Sequence, residues 1–190
     1  MHHIRIKSIL LLFTLLSGAA LHGAINVTIA EAGDDVVLSY AGFADLSGVS
    51  LEFTSSWTGT QNDIWPSVGS FHNFTGDGYD RYEMNEAPTA IGSTGSFSAN
   101  SFAGDTFMID NGLIAFSKGY TSGTTIAGSI TFANQTFDSM GLTPGSGYTV
   151  TWGSGASLDS ATLTVVPEPS FSATAAGLLA LAYVTRRRGR

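Results

Sequence analysis

Strict alternation of apolar and polar residues, interrupted at short intervals by Gly, Asp and Pro, constrains this 190-residue chain more than any other feature. Tyr148-Thr149-Val150-Thr151-Trp152 and Ala161-Thr162-Leu163-Thr164-Val165 are its cleanest runs, set off by Pro144-Gly145-Ser146-Gly147 and Gly153-Ser154-Gly155. A period of two sends successive side chains to opposite faces, so each run reads as a strand with one face buried. Ile25-Asn26-Val27-Thr28-Ile29 and Val49-Ser50-Leu51-Glu52-Phe53-Thr54 alternate in the same way, and Val36, Leu38 and Tyr40 share a face. The turns at 31–35 and 45–48 separate these three stretches, which predicts an antiparallel meander. Further strands are expected at 95–99, 106–110, 113–116 and 125–132, with Asn111-Gly112 as a tight hairpin dipeptide. No part of the body has helical periodicity. About nine or ten short strands at this spacing predict an all-β fold, an antiparallel β-sandwich of jelly-roll-like type. Trp152, in step with Tyr148 and Val150, is assigned to the core.

Between residues 55 and 95 the alternation dissolves, leaving only weak strands at 70–74 and 80–84. An irregular connection of that length is uncommon in a compact domain, so any ligand site is expected here. Trp57 and Trp65 are the candidate ligand platform, because a flat indole stacks on sugar rings. Asp77, Asp80 and Glu83 form the densest carboxylate group and the candidate calcium ligands, but their spacing is not that of an EF-hand loop. The alternative is a solvated acidic turn neutralised in part by Arg81. His72 is the one histidine beyond residue 22, so a three-histidine zinc site is impossible and a Ser-His-Asp triad would have to use it, with Ser70 or another serine as nucleophile. No Gly-x-Ser-x-Gly elbow accompanies it. Neither a catalytic residue nor a cofactor is expected. Asn-x-Thr sequons at Asn26, Asn73 and Asn134 fit surface loops or strand edges.

Charge is distributed unevenly. Of eight Lys and Arg, only Arg81 and Lys118 fall between the two ends, against fifteen acids from Glu31 to Glu168, which leaves that region at −13 where the whole chain carries −7. Such a surface repels nucleic acid and stays soluble by self-repulsion. There is no cysteine, which removes disulfides, thiolate ligands and a cysteine nucleophile together.

The ends carry the remaining basic residues. Met1-His2-His3-Ile4-Arg5-Ile6-Lys7 leads into an apolar core, Ile9-Leu10-Leu11-Leu12-Phe13-Thr14-Leu15-Leu16, and a small-residue exit at 17–24. That is the anatomy of a secretory signal peptide over 1–24, cut by signal peptidase to give a mature start between Leu21 and Ile25. At the other end Pro167-Glu168-Pro169 blocks both strand and helix, an uncharged Ala/Leu-rich run covers 170–185, and Arg186, Arg187, Arg188 and Arg190 close the chain. The run is sixteen residues long against the roughly 20 of an untilted membrane helix, which suits a transient signal better than a permanent anchor.

These three ordered elements over 167–190 resemble the PEP-CTERM sorting signal. The resemblance implies an exosortase as partner, recognition through Pro167, Glu168 and Pro169, insertion in the inner membrane with the arginines setting topology, then processing and delivery to the cell surface or outside. Gly104-Asp105-Thr106-Phe107, Tyr120-Thr121-Ser122-Gly123, Gly141-Leu142-Thr143-Pro144-Gly145 and Tyr148-Thr149-Val150-Thr151-Trp152-Gly153 look similar to the ectodomains that precede such tails. The body, 25–166, is therefore expected to be the ectodomain of a non-enzymatic surface or extracellular-matrix protein. A carbohydrate-binding module for exopolysaccharide is the alternative, and a secreted hydrolase comes third.

Overall fold

The computed structural model describes residues 23–93 and 95–167. The signal region before Gly23 lies outside them, as do Glu168, Pro169, the 170–185 run and Arg186, Arg187, Arg188 and Arg190. Two sheets make up the described chain. The first has six strands in the order β12 (Gly147–Trp152), β13 (Asp159–Val165), β1 (Ala24–Ala32), β2 (Asp35–Phe43), β11 (Thr125–Phe132) and β8 (Ser101–Gly104). The second has seven: β3 (Leu51–Ser55), β6 (Tyr79–Glu83), β10 (Leu113–Ser117), β9 (Phe107–Asp110), β5 (Ser70–Phe74), β4 (Gln61–Trp65) and β7 (Phe97–Ser98). A 3-10 turn at Gly155–Ser157 is the sole helical element among the described residues, none of which forms a helix long and apolar enough to cross a membrane. The all-β expectation is met.

Alternation delivers one face of each sheet to a shared core. Ile25, Val27, Ile29, Val36, Leu38, Ile130 and Phe132 from the first sheet pack in one cluster with Ile64, Phe71, Phe107, Ile109, Ile114 and Phe116 from the second. Trp152 is fully buried, as expected, and its indole N–H donates to Asp45 O at 3.1 Å. The Asn111-Gly112 hairpin forms as read: Asp110 pairs with Leu113, and both turn residues have positive φ, 42° and 84°. That conformation is open to Gly at no cost and to Asn at little.

Four expectations need correction. The sandwich is not wholly antiparallel, because β1 runs parallel to β13, from Ala24 opposite Ser160 to Ile29 opposite Val165. Parallel neighbours need a long crossover, and here almost the entire body is that crossover, so no local pattern announces it. The 55–95 stretch is more regular than read: β5 and β6 form where the weak strands were expected, and β4 adds a strand that was not. All five residues of β5 are buried, so its polar members cannot alternate visibly with apolar ones. Strand β3 does not bury alternate residues: it is a sheet edge with Leu51 and Phe53 about half exposed (52 % and 53 %). The sequon at Asn73 is not a surface site, for that side chain is fully buried.

Asn73 and Tyr40 join the two sheets through the core. Asn73 Nδ2 donates to Tyr40 Oη at 2.6 Å and to Ala103 O at 3.1 Å, while Tyr40 Oη donates to Asp105 O. Burial pushes the Tyr40 hydroxyl pKa up, so it stays a neutral donor. Gly128 sits opposite Tyr40 in the neighbouring strand, where a Cβ would stand 2.2 Å from the phenol oxygen. Glycine there is a steric requirement of the tyrosine. We predict that Tyr40→Phe, by leaving buried groups with one bond fewer, lowers unfolding free energy by about 1–2 kcal/mol. Urea denaturation should show a lower midpoint at unchanged slope; a midpoint equal to wild type would show that the clamp carries no net stability.

Candidate functional site

The seven-stranded sheet turns its other face away from the core, and its register lines up side chains across six strands. Phe53, Arg81, Ala115, Met108, His72 and Asp63 occupy successive positions of one row, and Ser98 extends it beyond Asp63. In the adjacent row Glu83 pairs with Leu113 and Leu113 with Asp110, while Ser70 pairs with Trp65. Phe74, Met108 and Ala115 form a second, small apolar cluster on this face, with Tyr79 packed against it. Trp57 stacks on Phe74 at 4.9 Å and 16° and stays nearly half exposed (47 %).

His72 sits between two carboxylates. Its Nδ1 is 2.7 Å from Asp63 Oδ1, a hydrogen bond, and its Nε2 is 3.7 Å from Asp110 Oδ2, an ion pair beyond hydrogen-bond length. Gln61 Nε2 donates to the other Asp63 oxygen at 3.2 Å, and the Trp65 ring meets the imidazole edge-on at 4.9 Å. The histidine is 4 % exposed. Burial disfavours its cation, but the hydrogen bonding and charge of Asp110 and Asp63 outweigh that and hold its pKa above the ordinary value. In return His72 holds the Asp110 carboxyl below the usual carboxylate range against partial burial, with Ser70 and Arg81 adding to the effect.

Asp110 and Ser70 line a cleft of about 420 Å³ together with Asn111, Val68, Pro88 and Ala90. Ser70 is 1 % exposed and its hydroxyl is engaged in no hydrogen bond of good geometry, although it lies near enough to Asp110 to influence that carboxyl. Both ring nitrogens of His72 face carboxylates, so the imidazole is not placed to take a proton from Ser70. The arrangement suits binding rather than nucleophile activation.

The sequence candidates fall unevenly on this face. Trp57 and Trp65 both belong to it, one over Phe74 and the other beside Ser70, positions four residues apart on β5 and about 13 Å along the strand. Asp77, Asp80 and Glu83 are not brought together. Asp80 is buried and accepts from Thr54 Oγ1 at 2.6 Å and Gly119 N at 2.7 Å, a structural role, whereas Glu83 is exposed three positions along β6 and Asp77 is exposed in the preceding turn. Among the described residues no group of three His, Asp or Glu is placed to hold a metal ion. Arg81 lies over the Tyr79 ring at 5.3 Å instead of neutralising that turn. The sequence reading missed Asp63 and Asp110 as partners of His72. Recognising 61–74 as one hairpin with its turn at 66–69 would have paired Asp63 with His72 by counting.

No known protein family, curated protein or solved structure matches the chain. The likeness of its tail to a sorting signal stands on the tail's own residues.

The sign of the pH dependence follows from the two shifts. A raised His72 pKa gives stability that is complete below the ordinary imidazole pKa and is lost as pH rises through the folded value. A lowered Asp110 pKa gives stability present above the ordinary carboxylate pKa and lost as pH falls through the folded value. The contribution of this pair is therefore greatest between about pH 4 and 6.5. Denaturation across pH 3–9 should show the difference between wild type and His72→Gln falling on both sides of that window. A difference independent of pH would mean that His72 is not charged in the folded protein.

Proposed function

We propose that this chain is a non-enzymatic exported protein of the bacterial surface or extracellular polysaccharide matrix. A signal peptide directs export, signal peptidase releases the jelly-roll-like ectodomain at its front, and the 170–185 run holds the chain in the inner membrane. An exosortase then recognises Pro167-Glu168-Pro169 and processes the chain for the surface. One observation carries this reading: the Pro-Glu-Pro motif begins where the sandwich ends. Val165 N donates to Ser146 O and Val166 N to Ile29 O at 2.9 and 2.8 Å, and the next residue, Pro167, is exposed. A motif that follows directly on a closed domain is one that a membrane-embedded enzyme can grasp without unfolding its substrate.

The second reading, a carbohydrate-binding module for exopolysaccharide, is supported by Trp57 and Trp65 on one outer face of the seven-stranded sheet. A secreted hydrolase has less support, because His72 is committed to two carboxylates.

Replacing Pro167, Glu168 and Pro169 together by alanine in the native host tests the sorting route. Cell fractionation followed by surface immunolabelling should find the variant retained in the membrane fraction, with surface signal reduced about tenfold or more, on the order expected when recognition is lost. Equal surface display of variant and wild type would remove the motif from the route.

A further inference from the structure

The cleft beside His72 has features that the sorting route does not use. Its floor holds a hydroxyl and a carboxylate of different histories. Ser70, 1 % exposed, lines the cleft; its buried Oγ makes no hydrogen bond of good geometry and lies near enough to Asp110 to influence that carboxyl. Asp110 presents its carboxylate to the same space and is kept in place by His72, 3.7 Å behind it. Val68, Ala87, Pro88 and Ala90 supply apolar lining. Trp65, paired with Ser70 across β4 and β5, stands next to the floor.

We propose that this cleft is a subsite for one neutral sugar residue of a glycan, bound through its hydroxyls to Asp110 and Ser70 and through its C–H face to the apolar wall.

The chemistry selects that class. A carboxylate can only accept, so the ligand must donate, and a vicinal diol offers two donors at the spacing of two carboxylate oxygens. Ser70 both donates and accepts, which fits a third hydroxyl. A cation would compete with His72, whose Nε2 already stands 3.7 Å from that carboxylate. An acidic sugar would be repelled by Asp110 and by a region carrying two basic and fifteen acidic residues. A pyranose ring has both kinds of surface that the cleft offers, polar edge and apolar face, and a pocket of this volume accommodates a single ring. This inference rests on the reading of the body as a carbohydrate-binding module and gives that module a position and a ligand class.

The test is titration calorimetry on the full chain in a zwitterionic detergent, with neutral hexasaccharides of glucose, mannose and galactose, an oligogalacturonide, and a chitosan oligomer. Four variants accompany the wild type: Ser70→Ala, Asp110→Asn, Val68→Arg at the exposed rim, and Trp57→Ala with Trp65→Ala. Thermal unfolding of each confirms that it folds, and Val68→Arg blocks the cleft without touching the buried pair. The expected result is binding of at least one neutral hexasaccharide, weakened about tenfold or more by Asp110→Asn and by Val68→Arg, and several-fold by Ser70→Ala, as loss of hydrogen bonds to charged and neutral groups would give. Binding that survives those three variants but is lost in the double tryptophan variant would overturn the subsite and leave the module standing. No neutral oligosaccharide bound by wild type would overturn both. Binding of the chitosan oligomer alone would overturn the neutral class.

Discussion

Strand β1 lies between β2 and β13, hydrogen-bonded on both sides, and the rest of the fold depends on that placement. The first and last strands of the described chain are neighbours in the middle of a sheet. Ile25, Val27 and Ile29 cannot be covered on both flanks until Ala161, Leu163 and Val165 have arrived. Closure is therefore a contact between the ends of the body, with the loop-closure entropy and slow folding of long-range pairing. Because β1 and β13 are parallel, the chain enters the sheet at the Ala24–Ser160 end and leaves it at the Ile29–Val165 end. The segments that precede Gly23 and follow Pro167 are thus joined to opposite ends of one pair of strands.

The second sheet is stabilised from both sides. Its inner face contributes to the common core, and its outer face carries an aromatic layer and a buried histidine between two partly exposed carboxylates. Trp57 covers Phe74, Tyr79 meets the same ring edge-on at 5.2 Å, and Trp65 flanks His72. His72, 4 % exposed between Asp63 and Asp110, occupies a position where an unpaired charge would be expensive. His72 stands between two carboxylates, 2.7 Å from Asp63 and 3.7 Å from Asp110, and the second of them is open to a cleft. The same residues that fix strands β4, β5 and β9 laterally give the cleft its acceptor.

The fold class was legible in the sequence because period-two alternation is direct physical evidence of a half-buried sheet, as at 148–152 and 161–165. The Asn111-Gly112 turn was legible because positive φ at two successive positions admits few residues. The parallel β1–β13 pair was not, since strand partners separated by the whole body leave no local trace. Strand β5 read only as a weak strand because Ser70 and His72 are buried on its outward face while Asn73 carries a polar group into the core, so polarity does not follow exposure there. The carboxylate partners of the histidine became apparent only once the hairpin register was fixed.

The functional account divides the chain at Val166, with a closed sandwich before it and an address after it. Intact-mass spectrometry of the chain recovered from the surface or medium of an exosortase-bearing host tests that division most directly. The account predicts a mature species that begins between Leu21 and Ile25, retains β13 and ends near Pro167-Glu168-Pro169, without the arginine cluster. Recovery of an exported species that still carries Arg186 to Arg190 would contradict it.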